Sequence, residues 1–353
     1  MTKIIIVGEA WGAKEEMFEH PFVGASGVEL ARMLSEAGIT AELPGHMSEL
    51  DMINYWKSQS DFIKPTNVFN LHPQDNDIEL LFTTAKEGTK DWVTQRFGTS
   101  AKALKPEHFH HLETLWKFLE TEKPNLILAL GNTACWALLG ESKISALRGT
   151  TKLSNKTGFK VLPTYHPAAV LRQWNLRTIV LADFSKAVIE AEYPSIQRIK
   201  RWLIVEPSLE DIVEWKSRPA DYYAVDIETF GGQISMIGFA RNPHDAIVIP
   251  FLEKGKPGWN YWPTHREEIT ALRLTNDLLN RDTVKIFQNG VYDLSYLLAY
   301  GFRPKRCDHD TMLLHHSLYA EMQKSLGFLG SIYSREINWK SMRTKGDNLK
   351  RDE

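Results

Sequence analysis

The chain has 353 residues, a length that favours two domains over one, with the apolar (43%) and charged (24%) fractions of an ordinary soluble globular protein. Its net charge of −2 does not announce a nucleic-acid partner, and its two cysteines, Cys135 and Cys307, form no Cys-x-x-Cys, which argues against a four-thiolate metal site or disulfide framework and fits a reducing cytoplasm. No apolar run approaches the roughly twenty residues that span a bilayer, so no membrane partner is expected.

Lys3 to Val7 reads as a first core strand ending in Gly8, not as a signal peptide. A helix follows from Ser26, whose hydroxyl pairs with Glu29 in a capping-box pattern, and Gly38 ends it. Asn67 to Leu71 is a second strand. Glu107 to Glu122 has helical periodicity and Pro124 stops it. Asn125 to Leu130 is a third strand, with Gly131 opening a helix over Thr133 to Leu139. Lys160 to Pro163 is a fourth, followed by helices at Ala168 to Arg172 and Arg177 to Glu192. This alternation predicts a three-layer α/β domain with a parallel four-stranded sheet, and ligands at the carboxyl ends of its strands.

The pattern changes near Tyr193-Pro194, which puts a domain boundary between Glu190 and Arg201 and gives domains of 1–195 and 196–353. Strands follow at Trp202 to Val205, Tyr222 to Ile227, Gln233 to Ala240 and Ala246 to Pro250. Helices then follow at Arg266 to Leu279, Val291 to Tyr300, Thr311 to Tyr319 and Ser325 to Tyr333. Strands first and helices after suggest an α+β domain with a mixed sheet. Basic residues group at Arg198, Lys200 and Arg201, at Arg303, Lys305 and Arg306, and at Lys340, Arg343, Lys345, Lys350 and Arg351; each group is either a solvated face or a phosphate contact.

Within this second domain, Asp226 and Glu228 lie two apart on a strand and so point to one face. Asn289 and Asp293 lie four apart, as neighbours on a helix do. Adjacent carboxylates repel unless a cation or proton intervenes, and carboxylate-held Mg²⁺ stabilises both oxygens of a phosphodiester displacement. The segments Ala224 to Thr229, Phe287 to Asp293, Cys307 to Leu313 and Lys324 to Leu329 resemble motifs of the DEDD 3′–5′ exonucleases, the proofreading domain joined to many DNA polymerases. The resemblance covers about Trp202 to Tyr333 and implies a ribonuclease H-like fold. Asp226, Glu228 and Asp293 would be ligands for Mg²⁺ or Mn²⁺, and Asn289 would orient the strand end or cap the helix. Asp308 and Asp310 are assigned structural roles. The family's fourth carboxylate, in a Tyr-x-x-x-Asp or His-x-x-x-Asp spacing, has no counterpart after Asp293: Arg343 precedes Asp347 and Asn348 precedes Asp352 at that distance. A truncated chain, or a final acid supplied by a partner, is therefore expected, with weak nuclease activity.

In the first domain, Gly8-Glu9-Ala10-Trp11-Gly12, Pro21-Phe22-Val23-Gly24-Ala25-Ser26-Gly27, Thr66 to Pro73, Leu130 to Ala134, Leu147 to Thr150 and Leu162 to Arg172 occur in order. Together they resemble the uracil-DNA glycosylase superfamily, most closely its iron–sulfur microbial branch, over about Lys3 to Phe184. The resemblance implies that Gly8, Phe22 and Asn67 bind an extruded uracil, Phe22 by stacking and Asn67 by reading its N3–H and O4 edge. His166 would bond uracil O2, Glu9 would orient water and stabilise the cationic sugar, and Glu15 would assist. Gly24, Ser26 and Gly27 would offer backbone N–H groups to phosphate, with Arg172 nearby. Structural alternatives stand beside these: Phe22 as core, Asn67 as a turn residue before a strand, His166 as a helix cap ahead of Pro167, Glu15 as a surface charge. That branch's cysteines are absent, so no cluster is expected, and Trp11 stands where the family usually has proline.

The expectation is a cytoplasmic two-domain DNA enzyme of the kind found in large bacteriophages. It would pair metal-free uracil excision from single- or double-stranded DNA with a metal-dependent 3′–5′ exonuclease, possessing a DNA polymerase as a candidate partner. The rivals are a non-catalytic DNA- or uracil-binding module and an exoribonuclease of the DEDD fold.

Overall fold

A computed structural model describes residues 3–84, 95–97 and 100–336. Lys340, Arg343, Lys345, Lys350 and Arg351 of the basic tail, with Asp347 and Asp352, lie outside the described residues. The chain divides into two compact units, Met1–Gln197 together with Gly330–Glu353, and Arg198–Leu329.

The first unit alternates β1 (Ile4–Ala10), α1 (Ala13–Phe18), α2 (Ala25–Glu36), α3 (Glu49–Gln59) and β2 (Ile63–Phe69). A short antiparallel sheet follows, with β3 (Phe82–Thr84), β4 (Gln95–Phe97) and β5 (Ser100–Leu104) in the order β3-β5-β4. Then come α4 (Phe109–Glu122), β6 (Leu126–Leu130), α5 (Gly131–Leu139), α6 (Ile144–Leu147), β7 (Lys152–Leu153), β8 (Lys160–Thr164), α7 (Pro167–Arg172) and α8 (Leu176–Glu190). The central sheet runs β2-β1-β6-β8-β7. Its first four strands are parallel as expected, but β7 adds a fifth, antiparallel to β8, so the sheet is mixed at that edge. A two-residue strand such as Lys152–Leu153 is too short to carry a periodic signal of its own.

Parallel strands need cover on both faces, and their apolar runs supply it. Ile4, Ile6, Leu126 and Leu128 pack into one core with α2, α3 and α8; Ile5, Val7, Ile127 and Ala129 pack into another with α4 and α5. The expected Ser26 cap does not form. Helix α2 starts at Ala25 with Gly24 at the N-cap and no side-chain cap. Glu29 turns inward to meet Arg177 at 2.8 Å instead of returning to the helix start.

The first unit also contains a buried polar seam. Arg148 holds Asp183 through Nε (3.0 Å) and Nη2 (2.5 Å), and Asp183 accepts from Thr164 at 2.7 Å. Arg148 Nη1 donates to the Ser331 hydroxyl at 2.7 Å, and Lys186 Nζ donates to the Ser331 carbonyl, so the segment from Gly330 is stitched into this unit. Lys160 Nζ donates to the carbonyls of Tyr193 (2.7 Å) and Ser195 (3.1 Å) and pairs with Glu190 at 3.0 Å.

The second unit contains β9 (Trp202–Ile204), α9 (Leu209–Ser217), β10 (Tyr222–Phe230), β11 (Gln233–Asn242), β12 (Asp245–Pro250), α10 (His265–Asn280), β13 (Val284–Phe287), α11 (Val291–Ala299), β14 (His309–Asp310) and α12 (Thr311–Leu318). Helix α13 (Leu326–Tyr333) follows. The sheet order is β14-β13-β10-β11-β12-β9, antiparallel across β10-β11-β12 and parallel elsewhere. The mixed sheet is as expected, but helices interleave with strands instead of following them all, because parallel partners such as β10 and β13 need a crossover, supplied here by α10. Among the described residues no helix is long and apolar enough to cross a membrane.

Candidate functional site

A cavity of about 570 Å³ opens at the carboxyl ends of β1, β2, β6 and β8. Its walls include Glu9, Phe22, Asn67, His166 and Arg172, residues brought from four segments of the sequence. Gly8 is the junction. A Cβ there would lie 2.2 Å from Asn67 Oδ1 and 2.5 Å from Phe22 Cζ, so only glycine lets amide and ring approach the strand this closely.

Phe22 is 4% exposed with φ +56, an outlier for a bulky residue. The Trp56 indole N–H holds that backbone by donating to the Phe22 carbonyl at 3.0 Å. Gly27 leaves room for the same carbonyl, since a Cβ there would fall 1.9 Å from it. Phe22 is thus both core and pocket wall, and its ring lies 5.9 Å from that of His166, 28° from parallel. Asn67 lies in β2 (not before a strand), 4% exposed, and among the described residues its amide takes no protein partner.

His166 joins two roles weighed as alternatives. It caps α7, its Nδ1 accepting from Ala168 N–H at 3.2 Å, with Pro167 at the first helical position. Burial, helped by the charge of Arg172, lowers its pKa to about 4, so the ring is neutral near pH 7. With Nδ1 accepting, the ring proton sits on Nε2, which is left as a donor. Glu9, at the end of β1, accepts from the Thr133 hydroxyl. Burial raises the Glu9 pKa, while Thr133 and Arg172 pull it back down. Nothing in the sequence marks Thr133, since a threonine early in a buried helix reads as packing and the contact spans 124 positions with no local signature.

The expected phosphate seat is only partly present. The Gly24 N–H is taken by Glu15 Oε1 at 3.0 Å, and the Gly27 N–H by the Gly24 carbonyl at 2.9 Å. Neither can meet a phosphate while so bonded, and the Glu15 carboxylate opposes one. Ser26 does line the cavity, as does Glu15, which acts here as a clamp on the Gly24 loop. Trp11 also lines it, with its indole N–H buried and unpartnered among the described residues. Two thiols are fewer than the four an iron–sulfur cluster takes, and Cys135 and Cys307 belong to different units, Cys135 buried and Cys307 exposed. The residues present do not fit that group.

In the second unit, Tyr223, Val225 and Ile227 of β10 are buried, while Asp226 and Glu228 share the open face. Burial of the strand therefore does not extend to its acids. Asp293 on α11 is 4% exposed and accepts from Ile227 N–H at 3.0 Å through Oδ1. Asp226, although open on one side, has a pKa raised to about 6 by surrounding protein atoms and by the charges of Asp293 and Glu228. Burial likewise raises Asp293, against the Ile227 N–H. Asn289 precedes the helix at φ +59, and Gly290 occupies the N-cap, so the expected helical stacking of Asn289 on Asp293 and the capping alternative both give way. A tight left-handed turn forms there because Asp310 accepts from Asn289 N–H (3.1 Å) and Gly290 N–H (2.7 Å) while capping α12. Burial pushes Asp310 up, but its backbone donors outweigh that and hold its pKa low. Asp308 pairs with Arg306 at 2.8 Å. Among the described residues no three His, Cys, Asp or Glu side chains converge tightly enough to enclose a metal ion. The acids suit a hard cation in donor chemistry and mutual repulsion, but no closed cage is formed.

A family model for the uracil DNA glycosylase superfamily matches residues 1–190. The type-4 uracil-DNA glycosylase of Thermotoga maritima is 30% identical over 190 residues, covering 53% of this chain and 76% of that protein. The Archaeoglobus fulgidus type-4 enzyme is 28% identical over 192 residues, covering 52% and 75%. Among solved structures, Brucella melitensis NrnC with bound Mg²⁺ has a TM-score of 0.24 at 20% identity, covering 38% of this chain and 61% of NrnC, so less than two thirds of that protein is spanned. The EXD2 exonuclease domain soaked in Mn and GMP has a TM-score of 0.23 at 18% identity, covering 41% and 79%. Structural likenesses this slight decide nothing about the second unit.

Proposed function

The chain belongs to the uracil DNA glycosylase superfamily, and on that premise we propose that its first unit hydrolyses the N-glycosidic bond of deoxyuridine in DNA. The observation that carries this is the meeting of Glu9, Phe22, Asn67 and His166 in one cavity around Gly8. The cavity receives the extruded base. Phe22 stacks on the ring, and the unpartnered Asn67 amide pairs with the N3–H and O4 edge, accepting from one and donating to the other. As the C1′–N1 bond breaks, its electron pair passes to the base and charge grows on O2. The Nε2–H of neutral His166 donates to that oxygen. Glu9, oriented by Thr133, directs a water to C1′ and takes its proton. Arg172 and Ser26 lie on the strand's path across the cavity mouth. No metal or cluster enters these steps.

The test is release of uracil from a 5′-labelled single-stranded DNA carrying one uracil, in EDTA, followed by alkali. One alkali-dependent break supports the reading. DNA that is retarded but never broken makes the unit a binding module instead.

A second reading concerns the second unit, as a metal-dependent phosphodiesterase acting on 3′ ends on a ribonuclease H-like sheet. The raised pKa of Asp226 next to Glu228 and Asp293 favours it, because a cation would relieve that repulsion. Asp226, Glu228 and the free oxygen of Asp293 would hold Mg²⁺ or Mn²⁺, and Asn289 would meet the strand end. Bound there, the ion would supply charge stabilisation to a phosphate. The strand is DNA or RNA, and a DNA polymerase is the partner class this reading implies.

A further inference from the structure

Resting on the second of those readings, we infer that Phe230 and Trp259 form a base-stacking platform that seats the terminal base of a single-stranded nucleic acid next to Asp226 and Glu228. Along β10 the exposed residues Asp226, Glu228 and Phe230 alternate with the more buried Val225, Ile227 and Thr229, and the pairing with β11 shifts register between Glu228 and Thr229. Phe230 is 36% exposed, and its ring lies 5.1 Å from that of Trp259 at 47°. Along a strand, two residues span about 7 Å, one nucleotide step, so a base on Phe230 would bring its own phosphate toward Glu228.

Trp259 is held for display. Its φ is +57, a conformation that costs a bulky residue energy, yet the residue stays 44% exposed. The hairpin around it is pinned by three contacts. Glu253 N–H donates to the Trp259 carbonyl at 2.8 Å, Leu252 bridges Asn260, and the buried Trp262 donates through its indole to the Pro250 carbonyl at 2.9 Å. A strained backbone, locked by its surroundings and ending in an open aromatic ring, is what a ligand contact selects and what core packing does not. The same hairpin carries Lys254, exposed, and Lys256, whose ammonium pairs with Glu253 at 2.7 Å and lies 4.5 Å over the Tyr261 ring. Open aromatics on a hairpin that also carries the exposed Lys254 fit unpaired bases on a phosphate chain, since every base has a π-face and the stacking tolerates any sequence. The ligand chemistry is shared by DNA and RNA.

The experiment uses the full chain in EDTA with oligo-dT and oligo-rU carrying 2-aminopurine at the 3′ terminus. Binding should quench the 2-aminopurine emission in both, whereas the same probe at the 5′ terminus should stay bright. Trp259→Ala and Phe230→Ala should each weaken the quenching titration by about fivefold to a hundredfold, and Trp259→Phe should retain it. Unchanged titrations in both alanine variants, or equal quenching at the 5′ end, overturn the platform. Cleavage is scored separately with Mg²⁺. Quenching that depends on Trp259 without any ladder keeps the platform and removes the nuclease reading; a ladder with quenching indifferent to both rings removes the platform alone.

Discussion

The Thr133 hydroxyl donates to the Glu9 carboxylate, tying the start of α5 to the end of β1 at the floor of the cavity. Burial raises the Glu9 pKa and this bond opposes the rise. Thr133→Val keeps the shape and removes the donor, so Glu9 should protonate more readily. The acid limb of the pH–rate profile for uracil release should move up by about one unit. A profile that stays in place would show that Glu9 ionisation does not govern the rate. Glu9→Gln should remove activity while raising stability at pH 8, because a carboxyl with a raised folded pKa destabilises the fold once it is ionised.

His166 carries the opposite sign. Its folded pKa, about 4, lies below the unfolded value near 6.5, so the native state binds fewer protons between those limits. The stability it contributes is complete above about pH 6.5 and is lost as pH falls toward 4. That loss is on the order of 2 kcal/mol once partial opening to the cavity is allowed for. Denaturant titrations of His166→Asn between pH 7 and 4 should show a shallower decline than the parent chain, together with at least a hundredfold loss of uracil release.

Gly8→Ala tests the junction. The added methyl would overlap Asn67 Oδ1 and Phe22 Cζ, so both would have to leave the positions they hold. Uracil release should fall about a hundredfold or more, with stability lowered by about 1–3 kcal/mol as the side chains shift. Near-parent kinetics would mean that Asn67 and Phe22 are not needed where they stand.

Asp226, raised to about 6 by the protein atoms around it and then by Asp293 and Glu228, disfavours the folded state above that pH. Mn²⁺ should therefore raise the melting temperature of the second unit at pH 8 and do little at pH 5, where Asp226 holds a proton. In Asp226→Asn, the metal response and any 3′–5′ ladder should both vanish, and the metal-free protein should melt about 2 °C higher at pH 8. A melting temperature blind to Mn²⁺ at both pH values would remove the acids as a cation site.

What could be read from the sequence was what residues encode locally. Ile4 to Val7 and Leu126 to Leu130 are apolar without interruption and become central parallel strands; Asp226 and Glu228 share a face because strand periodicity is two. What escaped was set by distant partners. Glu15 resembles any surface acid until the Gly24 N–H, nine residues on, is seen to bond it. Ser26 and Glu29 have the spacing of a capping box, but the cap fails because Arg177 draws Glu29 elsewhere. Asp183, Lys186 and Glu190 repeat along α8 like a solvated stripe, and all three are buried because Arg148, Ser331 and Lys160 answer them.

The return of the chain at Gly330 has a practical corollary. Tyr193 and Ser195 are gripped by Lys160, and Ser331 by Arg148 and Lys186, so both edges of the intervening stretch are moored in the first unit. A single protease nick inside Arg198–Leu329 would then give two bands on a denaturing gel and one peak in native gel filtration.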